Sequence, residues 1–181
     1  MKTLLGLAAI IPGVVAALLL QEMLPAVNVL HGARFVFVPM IFCYAALALP
    51  FPAMLFAALV TGLLTDLMYL HVVAGRVEIA LGCSIVFFVI YGSISNGFRP
   101  AFLRGHWWPL IPLSALGTSS FLLMQFLMIT LRREELIFDQ AVIWRVLAPG
   151  LLAALFAPLL HAMIRPFALL IPENPLLAKS Y

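Results

Sequence analysis

Few residues of this chain could do chemistry, and one of them, Asp66, lies inside an apolar segment long enough to enter a lipid bilayer. Asp66 belongs to the run Gly62-Leu63-Leu64-Thr65-Asp66-Leu67. An acid at the centre of a membrane helix opposes insertion by about 2.5–3.5 kcal/mol, which nearly cancels the gain from the apolar residues around it. We therefore expect Asp66 to face other helices and to have a hydrogen-bond partner.

Two roles are open to Asp66. As a structural clamp it would tie helix ends together with Gln21, Arg34 and Arg76, which lie at or near the same predicted depth. As part of a proton or ion path it would need further acids or histidines across the membrane, and Asp66 is the only acid more than two residues inside a predicted span. We favour the clamp.

The remaining reactive residues do not form a catalytic, cofactor or metal site that the sequence reveals. The four histidines belong to different connections near the predicted membrane surfaces, where an interfacial polar role is the simpler interpretation. The two cysteines lie in separate apolar runs, where a free thiol acts as a small hydrophobe. These residues are His31, His71, His106, His161, Cys43 and Cys83. We predict no enzymatic activity and no cofactor.

The composition is that of an integral membrane protein. Of 181 residues, 65% are hydrophobic and 9% charged, and the mean hydropathy is +1.17. No polar block is long enough to form a second core, so we predict one domain over residues 1–181. The net charge of +3 is small and its basic residues are scattered, which argues against a nucleic-acid partner.

The apolar segments predict an all-α membrane protein, a compact bundle of six transmembrane helices. The first segment is too long for a cleaved signal peptide, and we expect it to be retained. Pro50 and Pro52 separate the second and third spans by a tight break, which predicts a hairpin. The predicted spans are 4–24, 35–49, 53–70, 78–95, 109–131 and 144–165.

An even number of spans places both termini on one side of the membrane. The basic residues do not decide which side, because five fall on each under the positive-inside rule. Four residues after the fourth span are predicted membrane-interface anchors, since tryptophan and arginine are typical of that depth. They are Arg99, Arg104, Trp107 and Trp108.

Two rows of small residues could receive a neighbouring helix. The first-span row is Ala9, Gly13 and Ala17, and the sixth-span row is Gly150, Ala154 and Pro158. Small side chains allow close approach between membrane helices, whether inside a bundle or at an external interface. Both possibilities remain open from the sequence: internal packing, or contact with the transmembrane helix of a partner.

Several short motifs between about Val15 and Ala80 resemble, in order and spacing, those of the rod-shape-determining MreD family. The match rests on Leu18-Leu19-Leu20-Gln21, Arg34, Leu47-Ala48-Leu49-Pro50, Gly62-Leu63-Leu64-Thr65-Asp66-Leu67 and Ala74-Gly75. The chain departs from that family after Arg34, where Phe35 stands and a proline is common. Beyond Ala80 the likeness is limited to length and hydropathy.

The resemblance implies a non-enzymatic protein of the bacterial inner membrane, with both termini cytoplasmic. It also implies partners: the scaffold MreC and, directly or through it, MreB, RodA and a penicillin-binding transpeptidase, together with membrane lipid. The implied function is to help regulate cell shape and peptidoglycan synthesis. The implied bundle is similar to the substrate-binding S components of energy-coupling-factor vitamin transporters, and vitamin binding is therefore the alternative function.

Overall fold

The computed structural model describes residues 2–25, 32, 34–69, 72–73, 76–77, 82–133 and 139–168. Within these residues the chain forms seven helices and one antiparallel pair of two-residue strands. The helices are α1 (Lys2–Met23), α2 (Val38–Ala48), α3 (Phe51–Met68), α4 (Cys83–Gly97), α5 (Arg99–Leu103), α6 (Leu110–Arg133) and α7 (Gln140–Ala168). The strands, β1 (Val72–Val73) and β2 (Arg76–Val77), lie between α3 and α4. The expectation of a helical protein is confirmed.

Three stretches of helix are long and apolar enough to cross a membrane: Phe51–Met68, Leu110–Leu131 and Val142–Met163. Three further apolar helical stretches have 10–17 residues: Ile10–Met23, which is the later part of α1, Val38–Ala48 and Cys83–Gly97. Length and composition therefore identify three membrane-crossing candidates within the described residues, and the count of six stays a prediction.

Helix α2 is the centre of the bundle and packs against each of the other six helices. It is apolar all round, as a fully enclosed helix must be, and all but two of its 11 residues are buried. It is shorter than the predicted 35–49, because residues 34–37 are not helical and Pro39 lies in the first turn. Pro50 then limits it at the other end.

An aromatic cluster joins α2, α4 and α6 in the core. The rings of Phe42 and Phe88 lie 4.9 Å apart and those of Phe88 and Phe121 5.5 Å apart, and all three side chains are fully buried. Gly92 leaves room for this contact, since a Cβ there would lie 2.6 Å from Sδ of Met54 and 2.9 Å from Cζ of Phe42. Edge-to-face and offset ring pairs of this kind add to the stability that burial gives.

The run Asn96 to Pro100 predicts a break after the fourth span, and the structure forms the short helix α5 there. Pro100 instead occupies the first turn of α5, a position that proline favours because its missing N–H has no helical partner there. Phe102 fixes α5 to the bundle: its side chain is fully buried and its ring packs edge to face on Tyr44 at 5.6 Å.

Candidate functional site

Asp66 joins the end of α3 to the beginning of α4. Its Oδ2 accepts a hydrogen bond from the Gly82 N–H at 2.6 Å, and its Oδ1 accepts one from the Ser84 N–H at 3.3 Å. The carboxyl group is buried, with 3% of the residue exposed. The first N–H groups of a helix have no partner within the helix, so an oxygen at this position caps it. Asp66 therefore caps α4 from a different helix.

The residue at the N-cap position of α4 cannot do this for itself. Gly82 has no side chain, and its φ of 101° lies in the left-handed region that glycine tolerates. In lipid a backbone N–H without a partner costs several kcal/mol, because no water is present to satisfy it. The energetic cost of a buried acid in α3 is thus offset by satisfying the amides of α4.

Gly62 lies one helical turn before Asp66 and lets the two helices approach. A Cβ at Gly62 would lie 2.6 Å from the backbone N of Ile85, too close for any side chain. Residues four apart share one face of a helix, so Gly62 and Asp66 both face α4. The Gly-x-x-x-Asp spacing therefore has a structural explanation: the glycine sets the distance between the helices, and the acid caps the neighbour.

A second polar contact ties α1 to the end of α3. Nε2 of Gln21, a residue that is 4% exposed, donates to the hydroxyl of Tyr69 at 2.8 Å. Glu22 and Arg34 lie within electrostatic reach of the same phenol. Oε1 of Gln21 is buried and lacks a hydrogen-bond partner in the described part of the chain. Sequence reasoning named Gln21 and missed Tyr69, because a tyrosine at a helix end is equally typical of a membrane interface.

The four predicted clamp residues do not form one cluster. Asp66 meets α4 and Gln21 meets Tyr69, as two separate contacts. Arg34 is exposed just before α2, and within the described residues no ion pair joins it to Asp66. Arg76 lies in β2, where its Cα is paired with Val73, and its side chain lies outside the described residues. The clamp involving both arginines stays a prediction.

Asn96 makes a third polar contact, which sequence reasoning missed. Its Nδ2 donates to the carbonyl oxygens of Ala46 at 2.7 Å and Leu49 at 2.9 Å. The carbonyl of Ala46 has no helical partner, because the residue four positions on is Pro50, which lacks an N–H. Pro50 therefore indicates that the Ala46 carbonyl needs a donor from outside α2, although the sequence does not show which residue provides it. Hydrogen bonds thus join the beginning of α4 to α3 and the end of α4 to α2.

The predicted interface anchors surround α5. Arg104 is exposed directly after it, and Arg99 is half-buried at its first residue, with a buried Nε that has no partner within the described residues. Trp107 and Trp108 are exposed by 43% and 57%. The Trp107 ring also stacks on His161 of α7 at 6.0 Å. Their membrane depth stays a prediction.

The two rows of small residues differ in their surroundings. A Cβ at Gly13 would meet nothing within 4 Å, whereas Ala17 is buried and the side chain of Ala9 lies outside the described residues. A Cβ at Gly150 would collide with the side chain of Ser119 and lie 2.8 Å from the carbonyl oxygen of Ala115, both in α6. Gly150 therefore serves internal packing, while Gly13 is open on one side.

Ala154 and Pro158, the other two residues of the sixth-span row, are half-buried. Across the described residues there is no group of three or more His, Cys, Asp or Glu side chains that could hold a metal ion.

The fold and these contacts define a helical protein with three helices able to cross a membrane, in which the polar side chains of α1, α3 and α4 join neighbouring elements. No family model, curated protein or solved structure matches the chain.

Proposed function

We propose that this chain is a non-enzymatic component of the bacterial rod complex, related to the MreD family, which helps to regulate cell shape and peptidoglycan synthesis. One observation carries the proposal: residues of the resembling motifs make structural contacts. Gly62 and Asp66 fix α3 to α4, and Gln21 fixes α1 to the end of α3. Polar residues that hold helices together are in keeping with a protein that acts by binding other proteins.

The proposed setting is the bacterial inner membrane, crossed six times, with both termini cytoplasmic. The described residues include six apolar helical segments, three of which have the length and composition of a span. Helices α2 and α4 would be the shorter of the six membrane spans. Helix α2 is enclosed by its neighbours, and both helices are followed by breaks. Non-helical backbone at membrane depth, such as residues 34–37, is tolerated where protein covers it.

The proposed direct partner is MreC, with MreB, RodA and a penicillin-binding transpeptidase reached directly or through it. Helix α1 supports this proposal, because within the described residues it packs only on α2 and α3. Its outer face presents Pro12 and Ala16 beside the open Gly13, with larger exposed residues such as Leu19 and Leu20 nearer the end of the helix. Small residues on a lipid-facing surface allow close approach of a second transmembrane helix. The MreC helix would lie along this face.

Complementation of cell shape tests the function. Expression of the chain in rod-shaped bacteria depleted of their own MreD protein should restore rod shape. Asp66→Leu, which removes the cap on α4, should fail, while the exposed-site control Asp139→Asn should succeed. Round cells despite a normal amount of the unmodified chain in the membrane would contradict the proposal. A vitamin retained through purification would favour the alternative, an S component of a vitamin transporter.

A further inference from the structure

An open cleft of about 340 Å³ lies beside the first half of α7. It is lined by Gly32, Arg34, Leu122, Arg145 and Pro149, which come from the segment before α2 and from α6 and α7. Two of these residues carry guanidinium groups, and neither arginine takes part in the Asp66 or Asn96 contacts. The cleft is therefore distinct from the Asp66 and Asn96 contacts, while Arg34 also lies near the Gln21–Tyr69 contact.

The non-helical segment before α2 contributes Arg34 to the lining of the cleft. Residues 34–37 are not helical, and the rings of Phe35 and Phe37 pack on Phe156 of α7 at 6.1 and 6.2 Å. Pro149 and Arg145 lie about two and three turns closer to the beginning of α7 than Phe156. Helix α2 begins only after Phe37, so it does not fill the bundle beside them.

The lining combines two cations with an apolar floor. Arg34 and Arg145 are both exposed and line the same cleft, so an anion bound there would lie near two positive charges. A guanidinium matches a phosphate group with paired, charge-assisted hydrogen bonds. Leu122 is half-buried and Pro149 buried, and Pro149 lies about 14 Å along α7 from its first residue. Leu122 and Pro149 thus add apolar contact within the same cleft.

We propose that this cleft binds the phosphate headgroup of an anionic membrane lipid, with Arg34 and Arg145 on the phosphate and an acyl chain over Leu122 and Pro149. Inorganic phosphate shares the headgroup chemistry but would gain nothing from the apolar floor. The proposal goes beyond the proposed membership of the rod complex, because a lipid site can exist whichever proteins the chain binds.

Binding of short-chain lipids to the full-length protein in a neutral detergent tests this. The probes are dioctanoyl phosphatidylglycerol, the zwitterionic dioctanoyl phosphatidylcholine and inorganic phosphate, each measured by native mass spectrometry. Phosphatidylglycerol should bind at least about tenfold tighter than either other probe. The double variant Arg34→Gln/Arg145→Gln should lose about tenfold or more in affinity, as expected for removed charge-assisted contacts.

Two controls separate binding from folding. The lysine pair Arg34→Lys/Arg145→Lys keeps both charges but not the paired guanidinium hydrogen bonds, so its affinity should lie between those of the native chain and the glutamine pair. Arg104→Gln, at an exposed arginine elsewhere, should leave the affinity unchanged. Thermal unfolding without lipid should be the same for all variants. Equal binding of the two lipids, equal binding of free phosphate, or an equal loss in Arg104→Gln would overturn the proposal. If the glutamine pair unfolds, affinity in the lysine pair at or below one tenth of the original also overturns it.

Discussion

The carboxylate of Asp66 and the backbone N–H of Gly82 form a hydrogen bond of 2.6 Å between the end of α3 and the beginning of α4. The two residues are 16 positions apart in the chain. This bond, with its neighbour at Ser84, turns a residue that is unfavourable in an apolar helix into the cap of the next helix. The same carboxylate oxygens would not be available for proton or ion transfer without exposing those amides.

Removing the Asp66 cap should destabilise the bundle. Asp66→Leu leaves two N–H groups without an acceptor and should lower the free energy of unfolding by about 1–3 kcal/mol for each. Asp66→Asn keeps one acceptor oxygen, so its free energy of unfolding should lie between those of the native chain and Asp66→Leu. Asp139→Asn is the control, because Asp139 is exposed and asparagine caps a helix about as well. Denaturant unfolding in detergent measures all three. Loss of cell-shape complementation in a stable, membrane-inserted Asp66→Asn would instead favour an ionisable role.

Two glycines within helices should respond to alanine in opposite directions. At Gly62 the added Cβ meets the backbone of Ile85, so Gly62→Ala should cost about 1–3 kcal/mol of stability. At Gly13 the added Cβ meets nothing within 4 Å, so Gly13→Ala should be neutral or gain up to about 1 kcal/mol from helix propensity. Thermal unfolding in one detergent compares them. Equal stability of the two variants would contradict the close approach of α3 and α4.

Asn96 should be replaceable only by another donor. Asn96→Ala leaves the Ala46 and Leu49 carbonyls without this partner and should cost about 1–3 kcal/mol. Asn96→Asp should cost more at neutral pH, because a carboxylate cannot donate, and should recover as falling pH protonates it. Ser93→Ala is the control, since its hydroxyl donates to the Val89 carbonyl within α4. Urea unfolding at several pH values checks this. An Asn96→Asp variant as stable as the native chain at neutral pH would refute the contact.

Hydrophobic patterning placed most helices within a few residues of those observed. The third span was predicted at 53–70 and α3 covers Phe51–Met68, while 109–131 corresponds to α6 at Leu110–Arg133. Long apolar runs bounded by proline define such helices well. The short helix α5 was missed because five residues with a proline provide no periodic signal.

The site was only partly predictable. Asp66 stands out because its energetic cost in an apolar run is visible in the sequence. Its partners are not visible, since every residue carries a backbone amide and only the fold shows which amides begin a helix beside it. Asn96 was missed for a similar reason, since its partners are backbone carbonyls, whereas Tyr69 was missed because a tyrosine at a helix end is equally typical of a membrane interface. Gly150 illustrates the converse, because small residues mark a close approach without showing whether the neighbour is α6 or another protein.

The proposed topology can be tested by labelling single cysteines. In a background lacking Cys43 and Cys83, Asp139→Cys should react with an impermeant thiol reagent added outside intact spheroplasts, whereas Arg104→Cys should be protected. Both positions are exposed, so accessibility within the protein does not limit the reaction. Lysed cells provide the control in which both should react. Labelling of Arg104→Cys alone in intact spheroplasts would place the termini outside.

The proposed role depends most directly on whether the chain binds MreC, and copurification from native membranes measures that. MreC should copurify with the unmodified chain. Gly13→Leu, which adds bulk on the open face of α1, should lose it while remaining monodisperse in detergent. Gly97→Leu is the control, because a Cβ there also meets nothing within 4 Å but lies on α4. Retention of MreC by Gly13→Leu would contradict the α1 surface, and absence of MreC from the unmodified chain would contradict the proposed function itself.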